Sequence, residues 1–262
     1  MNQSQERLWS DDSYLLCRPI EPSPRRVRVK FGGEIVADSK SVFLLRQYSQ
    51  GHLPTYYFPP ADVRLDVLKP VAHEQCYLGE AKFWNLEVGK RFAPRVAWTL
   101  LDPLPDFAAL KGCIGFDWNA MDAWYEEEEE VFVHARDPYK RVDVLPSSRH
   151  LRVEIAGETV AETRRPYLLF ETSLPTRYYI PREDARLDLL EPSNLKTRCP
   201  YKGIASYWSV KIRDYVAENV VWSYQEPIPE CPKIKDLLCF FNERADIYLD
   251  NELQVCPQTP WS

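Results

Sequence analysis

The second half of this chain repeats its first. Val27 to Leu45 aligns with Leu151 to Leu169 without a gap, 124 positions apart, and eight of the nineteen pairs are identical, among them Gly33/Gly157, Glu34/Glu158, Val36/Val160 and Ala37/Ala161. The match resumes where Asp62-Val63-Arg64-Leu65-Asp66 meets Asp184-Ala185-Arg186-Leu187-Asp188, and again at Trp84/Trp208, Trp98/Trp222, Phe116/Phe240 and Asp122/Asp246. A period this long marks a duplicated domain rather than a solenoid, and 262 residues suffice for two separate cores. Two sister domains are expected, residues 26–125 and 151–262, paired about a pseudo-twofold axis. Residues 1–25 read as an arm and residues 126–150 as a linker.

Within each copy the apolar residues recur with period two. Val27, Val29 and Phe31 alternate with Arg28 and Lys30, and Gly32-Gly33 follows as a hairpin signal. Short apolar runs separated by turn residues continue to Trp98, and no sustained period of 3.6 interrupts them. Phe107 to Leu110 reads as a short helical turn. The predicted class is all-β, as two small barrels or sandwiches. With 22 prolines against 9 glycines, proline sets most turns. Pro19, Pro22 and Pro24 are expected to stop any regular element in the arm, which Leu8, Trp9, Tyr14, Leu15 and Leu16 would anchor. The five glutamates from Glu126 to Glu130 read as a solvated run. Val131 to Asp143 is too apolar for a tether and is expected to pack across both domains.

Several function classes lose support. A net charge of −6 disfavours a nucleic-acid partner. Seven cysteines without a Cys-x-x-Cys predict scattered reduced thiols and no metal. The four histidines, His52, His73, His134 and His150, show no ligand spacing. Gly-rich phosphate loops and a Gly-x-Ser-x-Gly elbow are missing, so no cofactor is expected. The polar first dozen residues and the lack of an apolar run of ~20 residues predict a cytosolic protein with no membrane partner. Cys199 lies between Arg198 and Lys202, where cations lower a thiol pKa, but a buried inert thiol is the plainer reading.

The second repeat resembles a family catalogued as a domain of unknown function under a nucleotidyltransferase-like label. The resemblance rests on Gly157-Glu158, Val160-Ala161-Glu162-Thr163, Phe170-Glu171-Thr172, Leu174 to Pro181, Asp188 to Ser193, Cys199-Pro200-Tyr201-Lys202-Gly203, Ala205 to Trp208, Trp222-Ser223-Tyr224 and Phe241-Asn242-Glu243-Arg244. It implies a small β fold of the β-tent kind. Relatives of that fold often hold zinc through paired Cys-x-x-Cys; this chain has no such pairs, so zinc is not carried over. Two-domain members are similar to fungal natural-product cyclases of the hetero-Diels–Alderase kind, which implies dehydration and cycloaddition of reactive intermediates.

The duplication also separates what the fold needs from what it does not. Repeat 1 reads Leu53-Pro54-Thr55-Tyr56-Tyr57, without the arginine that precedes Tyr178-Tyr179, and Cys76-Tyr77-Leu78-Gly79, with leucine in place of Lys202. Asn242-Glu243-Arg244 becomes Trp118-Asn119-Ala120. The charged set survives in repeat 2 alone, as a site or as a local salt-bridge network. Read as a site, Arg177 and Lys202 hold an anionic or enolic oxygen, while Tyr178, Tyr201 and Tyr224 donate hydrogen bonds or act as acids. Glu243 or Asp246 moves a proton if burial raises its pKa. Trp208 and Trp222, with Trp98 and Trp118 in repeat 1, supply apolar walls; read as fold, the tryptophans are core. Leu78, Trp118, Met121 and Trp124 suggest a second candidate, an apolar cavity where the domains meet. The expected function is a cofactor-independent lyase or cyclase acting on a small, oxygenated, partly apolar molecule. The alternative is a non-catalytic module binding a small molecule or nucleotide. Either allows a homodimer.

Overall fold

The structure, a computed structural model, describes residues 19–48 and 52–259. It divides into two compact units, Met1–Asp137 and Pro138–Ser262. The first unit contains β1 (Ile20–Pro22), β2 (Val27–Phe31), β3 (Glu34–Ser39), β4 (Phe43–Leu45), β5 (Thr55–Phe58), β6 (Leu68–Cys76), β7 (Gly79–Val88), β8 (Arg91–Pro103), β9 (Ile114–Phe116), β10 (Ala123–Glu126) and β11 (Glu129–Val131). These build a seven-stranded sheet ordered β1-β4-β5-β9-β8-β7-β6 and a four-stranded sheet ordered β11-β10-β2-β3.

The second unit repeats the pattern with β12 (Val142–Pro146), β13 (Leu151–Ile155), β14 (Glu158–Thr163), β15 (Tyr167–Glu171), β16 (Arg177–Ile180), β17 (Leu190–Cys199), β18 (Gly203–Ile212), β19 (Tyr215–Pro227), β20 (Leu238–Phe240), β21 (Asp246–Leu249) and β22 (Glu252–Leu253). Its sheets run β12-β15-β16-β20-β19-β18-β17 and β14-β13-β21-β22, the same order strand for strand. The protein is therefore all-β and duplicated, as the sequence predicts. Phe107 to Leu110 does lie in a 3-10 turn, Pro105–Leu110. No helix among the described residues is long and apolar enough to cross a membrane.

The middle strands of each seven-stranded sheet are buried on both faces, since alternate residues point to opposite sides and feed two separate cores. In the second unit Tyr178, Ile180, Val221 and Phe240 pack with Leu151, Val153 and Ile155 of the four-stranded sheet. Their neighbours Tyr179, Trp222 and Cys239 point the other way and form a separate core with Val144, Leu169, Ala205, Tyr207, Tyr224 and Ile234. The first unit is divided likewise, with Tyr56 and Phe58 on one side and Tyr57 on the other. Register shifts at equivalent places, Glu80/Ala81 and Trp84/Leu86 in one unit and Gly203/Ala205 and Trp208/Val210 in the other, mark bulges in the long hairpins. Bulges of this kind bend a strand and increase its twist. Gly79 has φ +126° and Gly203 φ +107°; at Gly79 a side chain would run into the Asp102 carbonyl.

Three expectations are corrected. The prolines of the arm do not stop all structure: Ile20–Pro22 pairs with Phe43–Leu45 as an edge strand, where proline is tolerated. Leu8, Trp9, Tyr14, Leu15 and Leu16 lie outside the described residues. The linker is not one element. Its second half supplies β12, which pairs with β15 and is the counterpart of β1. Its first half belongs to the first unit: the Ala135 amide donates to the Pro54 carbonyl at 3.1 Å, and Ala135 and His134 are buried.

Glu126, read as part of a solvated run, is buried. It accepts from the Tyr56 hydroxyl at 2.8 Å, the Arg25 guanidinium at 2.6 Å and the Arg136 backbone amide at 3.1 Å. Glu127 to Glu130 are exposed. Replacing Glu126 with Ala removes one partner of a buried charged network and should cost the first unit about 2–4 kcal/mol. The same change at exposed Glu128 should cost less than about 0.5 kcal/mol. Urea unfolding read by hydrogen exchange in Thr55–Phe58 checks the contrast.

Candidate functional site

The charged residues singled out in repeat 2 meet on the outer face of its seven-stranded sheet, the face opposite the four-stranded sheet. Arg177 opens β16, and its register partner is Leu169 of β15. Its guanidinium makes a two-pronged pair with Glu243, at 2.6 Å and 2.7 Å. The arginine side chain is 11% exposed and the glutamate side chain 0%. The guanidinium also lies 5.6 Å from the Trp222 ring centre and 5.8 Å from that of Phe241. Phe241 bridges to Trp222 at 4.6 Å and stacks on Tyr207 at 6.4 Å. Lys202, in the turn between β17 and β18, reaches the buried carboxylate of Glu171 at the end of β15. Lys140 approaches the same carboxylate at 3.7 Å.

The electrostatics follow from this pairing. Burial works against the charge on Lys202, but Cys199 and Glu171 outweigh it and hold the ammonium above its ordinary value. Burial likewise opposes ionisation of Glu243, yet the hydrogen bonds from Arg177 and Thr259 prevail and hold the carboxyl below its ordinary value. The condition under which Glu243 would move a proton, a pKa raised by burial, is therefore not met. Burial pushes the Tyr224 phenol well up, so it stays protonated. Among the described residues no group hydrogen-bonds its hydroxyl. Burial pushes the Cys231 thiol to about 11 and the Cys239 thiol to about 12, which keeps both inert at neutral pH.

The other expected site residues distribute differently. Tyr201 sits half-buried in the same turn as Lys202. Tyr178 and Trp208 belong to the opposite face and pack in the sandwich core, with Arg182 over the Trp208 ring. Asp246 is exposed in β21. Trp98 and Trp118 lie in the first unit. Trp98 donates to the Tyr57 hydroxyl at 3.0 Å, and Trp118 stacks on Trp124 at 4.3 Å. Of the apolar set, Leu78 lies in one core of the first unit, and Met121, Trp124 and Trp118 lie in or against the other.

Sequence reasoning missed Glu171, Phe241, Tyr207 and Thr259 as members of the face. For Glu171 a signal existed. The repeat places Gln47 at its position and Leu78 at that of Lys202, while Thr55 takes the register of Arg177 and Asn119 the place of Glu243. Both members of each pair are neutral in the first unit. The same face there is apolar, built by Ile20, Leu45, Tyr57, Leu78, Leu100 and Leu110.

A shallow hollow of about 380 Å³ lies elsewhere in the second unit, lined by His150, Glu162, Thr163, Arg164, Arg165 and Asp184. Its polar contacts recur in the first unit. Thr163–Asp184 corresponds to Ser39–Asp62, and His150–Glu162 to Arg26–Asp38. That recurrence marks them as braces of the fold.

A family model described as "Domain of unknown function (DUF427)" matches residues 19–127 and 143–251. The two matches span most of the chain, and the chain belongs to this family. No curated protein matches it.

Replacing Lys202 with Leu, or Arg177 with Thr, leaves a buried carboxylate short of its cation and should cost about 3–5 kcal/mol. The paired changes Glu171→Gln with Lys202→Leu, and Arg177→Thr with Glu243→Asn, should restore most of that loss in thermal unfolding. The pairs also give stability a pH signature. The depressed Glu243 carboxyl contributes above its unfolded value near 4.5, and the contribution is lost as pH falls through the lower folded value. The raised Lys202 contributes fully below 10.5 and loses this as pH rises through its higher folded value. Acid unfolding should therefore flatten in the Arg177/Glu243 double variant and alkaline unfolding in the Glu171/Lys202 one.

Proposed function

Starting from a family whose description assigns no activity, we propose that the second unit binds a small, oxygenated, partly apolar organic molecule on the outer face of its seven-stranded sheet. One observation carries this reading: the same face is built twice, once apolar and once with two buried ion pairs. Well-packed apolar residues are usually as stabilising as a buried ion pair, or more so, and the first unit folds this face without the charges. Stability alone gives no reason to keep them in the second.

In this reading the Tyr224 hydroxyl and the Lys202 ammonium, both beside Glu171, hold the ligand's oxygen. Trp222 and Phe241 take its apolar part, and Arg177 fixes a second oxygen. Ligand sites commonly combine apolar walls with a few placed polar groups. The catalytic form of the reading is dehydration with cyclisation or cycloaddition. Tyr224, a neutral donor near the Glu171 carboxylate that Lys202 pairs with, is the feature that favours it, because fixed donors stabilise an oxygen that gains negative charge.

The test is a panel of phenols, 1,3-dicarbonyls and hydroxymethyl phenols, the last as quinone-methide precursors, screened by ligand-observed NMR and by turnover. Wild type should bind members of the panel. The Glu171→Gln/Lys202→Leu and Arg177→Thr/Glu243→Asn double variants should lose at least about tenfold in affinity with their melting temperatures retained. Double variants that bind as wild type does, or a wild type that binds none of the panel, would sink the reading. Product formation separates the catalytic form from plain binding.

A further inference from the structure

Resting on the reading of the second unit's outer face as a ligand site, we infer that its ligand is an aromatic carboxylate: a ring-bound anion with two acceptor oxygens and no donor. The face has spent its strongest acceptors. Of the Glu243 oxygens, Oε2 accepts from Arg177 Nη1, while Oε1 accepts from Arg177 Nη2 and from the Thr259 hydroxyl. Of the Glu171 oxygens, Oε2 takes the Lys202 ammonium and Oε1 faces the Lys140 ammonium at 3.7 Å. One carboxylate charge is thus divided between two ammoniums. The Tyr179 hydroxyl accepts from the Trp222 indole at 3.3 Å, and the Thr197 and Tyr207 hydroxyls hold each other at 2.8 Å.

Donors remain. A lysine ammonium carries three N–H groups and a guanidinium five, and neither can accept. Among the described residues the Lys202 ammonium is hydrogen-bonded to Glu171 alone, and the Arg177 guanidinium to Glu243 alone. The Tyr224 hydroxyl has no partner among them. Burial opposes the charge on both cations, but the paired carboxylates and nearby thiols outweigh it, so both stay charged. A ligand group with its own N–H or O–H would set donor against donor and leave a buried polar group unmatched. A neutral carbonyl would accept, but without the attraction between opposite charges, which is strong where water is excluded. A carboxylate suits both the planar fork of arginine and the point charge of lysine. The ring belongs against Trp222 and Phe241, whose own rings lie 4.6 Å apart beside the guanidinium.

Benzoate, benzamide and methyl benzoate share a ring and differ in charge and donors; acetate has the charge without the ring. Each is titrated into the full chain and followed by saturation-transfer NMR. Benzoate should bind at least about tenfold more tightly than benzamide or methyl benzoate, and more tightly than acetate. In the Glu171→Gln/Lys202→Leu variant, with its thermal unfolding checked, benzoate should lose at least about tenfold in affinity while the two neutral compounds change little. A neutral compound that binds as tightly as benzoate overturns the carboxylate. So does acetate binding as tightly, which marks a simple counter-ion, or a benzoate affinity untouched in the double variant. If benzoate does not bind at all, the carboxylate falls. Whether the binding reading falls with it is decided by the phenols and dicarbonyls of the first panel, which contain no carboxylate.

Discussion

A seven-stranded sheet whose middle strands are buried on both faces, in a chain with no long helix among its described residues, is the constraint from which the rest follows. Helices are the usual cover for the second face of a sheet. Here the four-stranded sheet covers one side only. The other is closed by the bulged hairpins and by two short turns, Pro105–Leu110 and Pro232–Ile234, which bring Leu110 and Ile234 into the outer cores. Aromatic residues suit this task because each buries a large area. The neighbours Tyr56/Tyr57 and Tyr178/Tyr179 serve opposite cores from one strand. A position on the outer face must then be apolar, or polar with a partner, because water is largely excluded there.

The two units answer that requirement in two ways. The first fills its outer face with Leu45, Leu78, Leu100 and Leu110. The second places Lys202 against Glu171 and Arg177 against Glu243. The charges are present or absent in pairs, and desolvation explains why. A single loss strands a charge out of water, whereas losing both partners is close to neutral. In the first unit the Gln47 side-chain oxygen, at the position of Glu171, is buried with no hydrogen-bond partner among the described residues. Close sequence neighbours also differ for steric reasons. A side chain at Gly115 would meet the Trp98 ring, whereas Cys239 occupies that register beneath Trp222. Trp222 instead leans on Phe241.

Much of the architecture was legible because period-two alternation and a gapless repeat are local signals. The edge strands Ile20–Pro22 and Val142–Pro146 were not, since the prolines around the first read as a stop and the second lies in a stretch that reads as a linker. Glu126 was hidden among its exposed neighbours because its partners Tyr56 and Arg25 lie 70 and 101 residues away. At the site, the repeat identified Arg177, Lys202 and Glu243, and the motif added Trp222 and Tyr224. Tyr178 was misplaced although alternation alone puts it opposite Arg177. Glu171 and Thr259 act through contacts across 31 and 16 residues, which no spacing rule reaches. Their roles emerge only once the fold has brought the end of β15 beside Lys202 and the chain after β22 beside Glu243.

The protonation states set by these contacts bear on what the face can do. A lysine that attacks a carbonyl needs a lowered pKa, and a carboxylate that donates a proton needs a raised one. Lys202 and Glu243 are shifted the opposite way. The pairing makes Lys202 and Arg177 permanent cations and Glu243 a permanent anion, while burial keeps Tyr224 a neutral donor. Such a set does not relay protons; it holds fixed charges in pairs beside a neutral phenol. Under the proposed function, the chemistry left to it is holding a polarised oxygen against an aromatic wall. Any reaction there would draw on the ligand's own reactivity, with the protein supplying orientation and field.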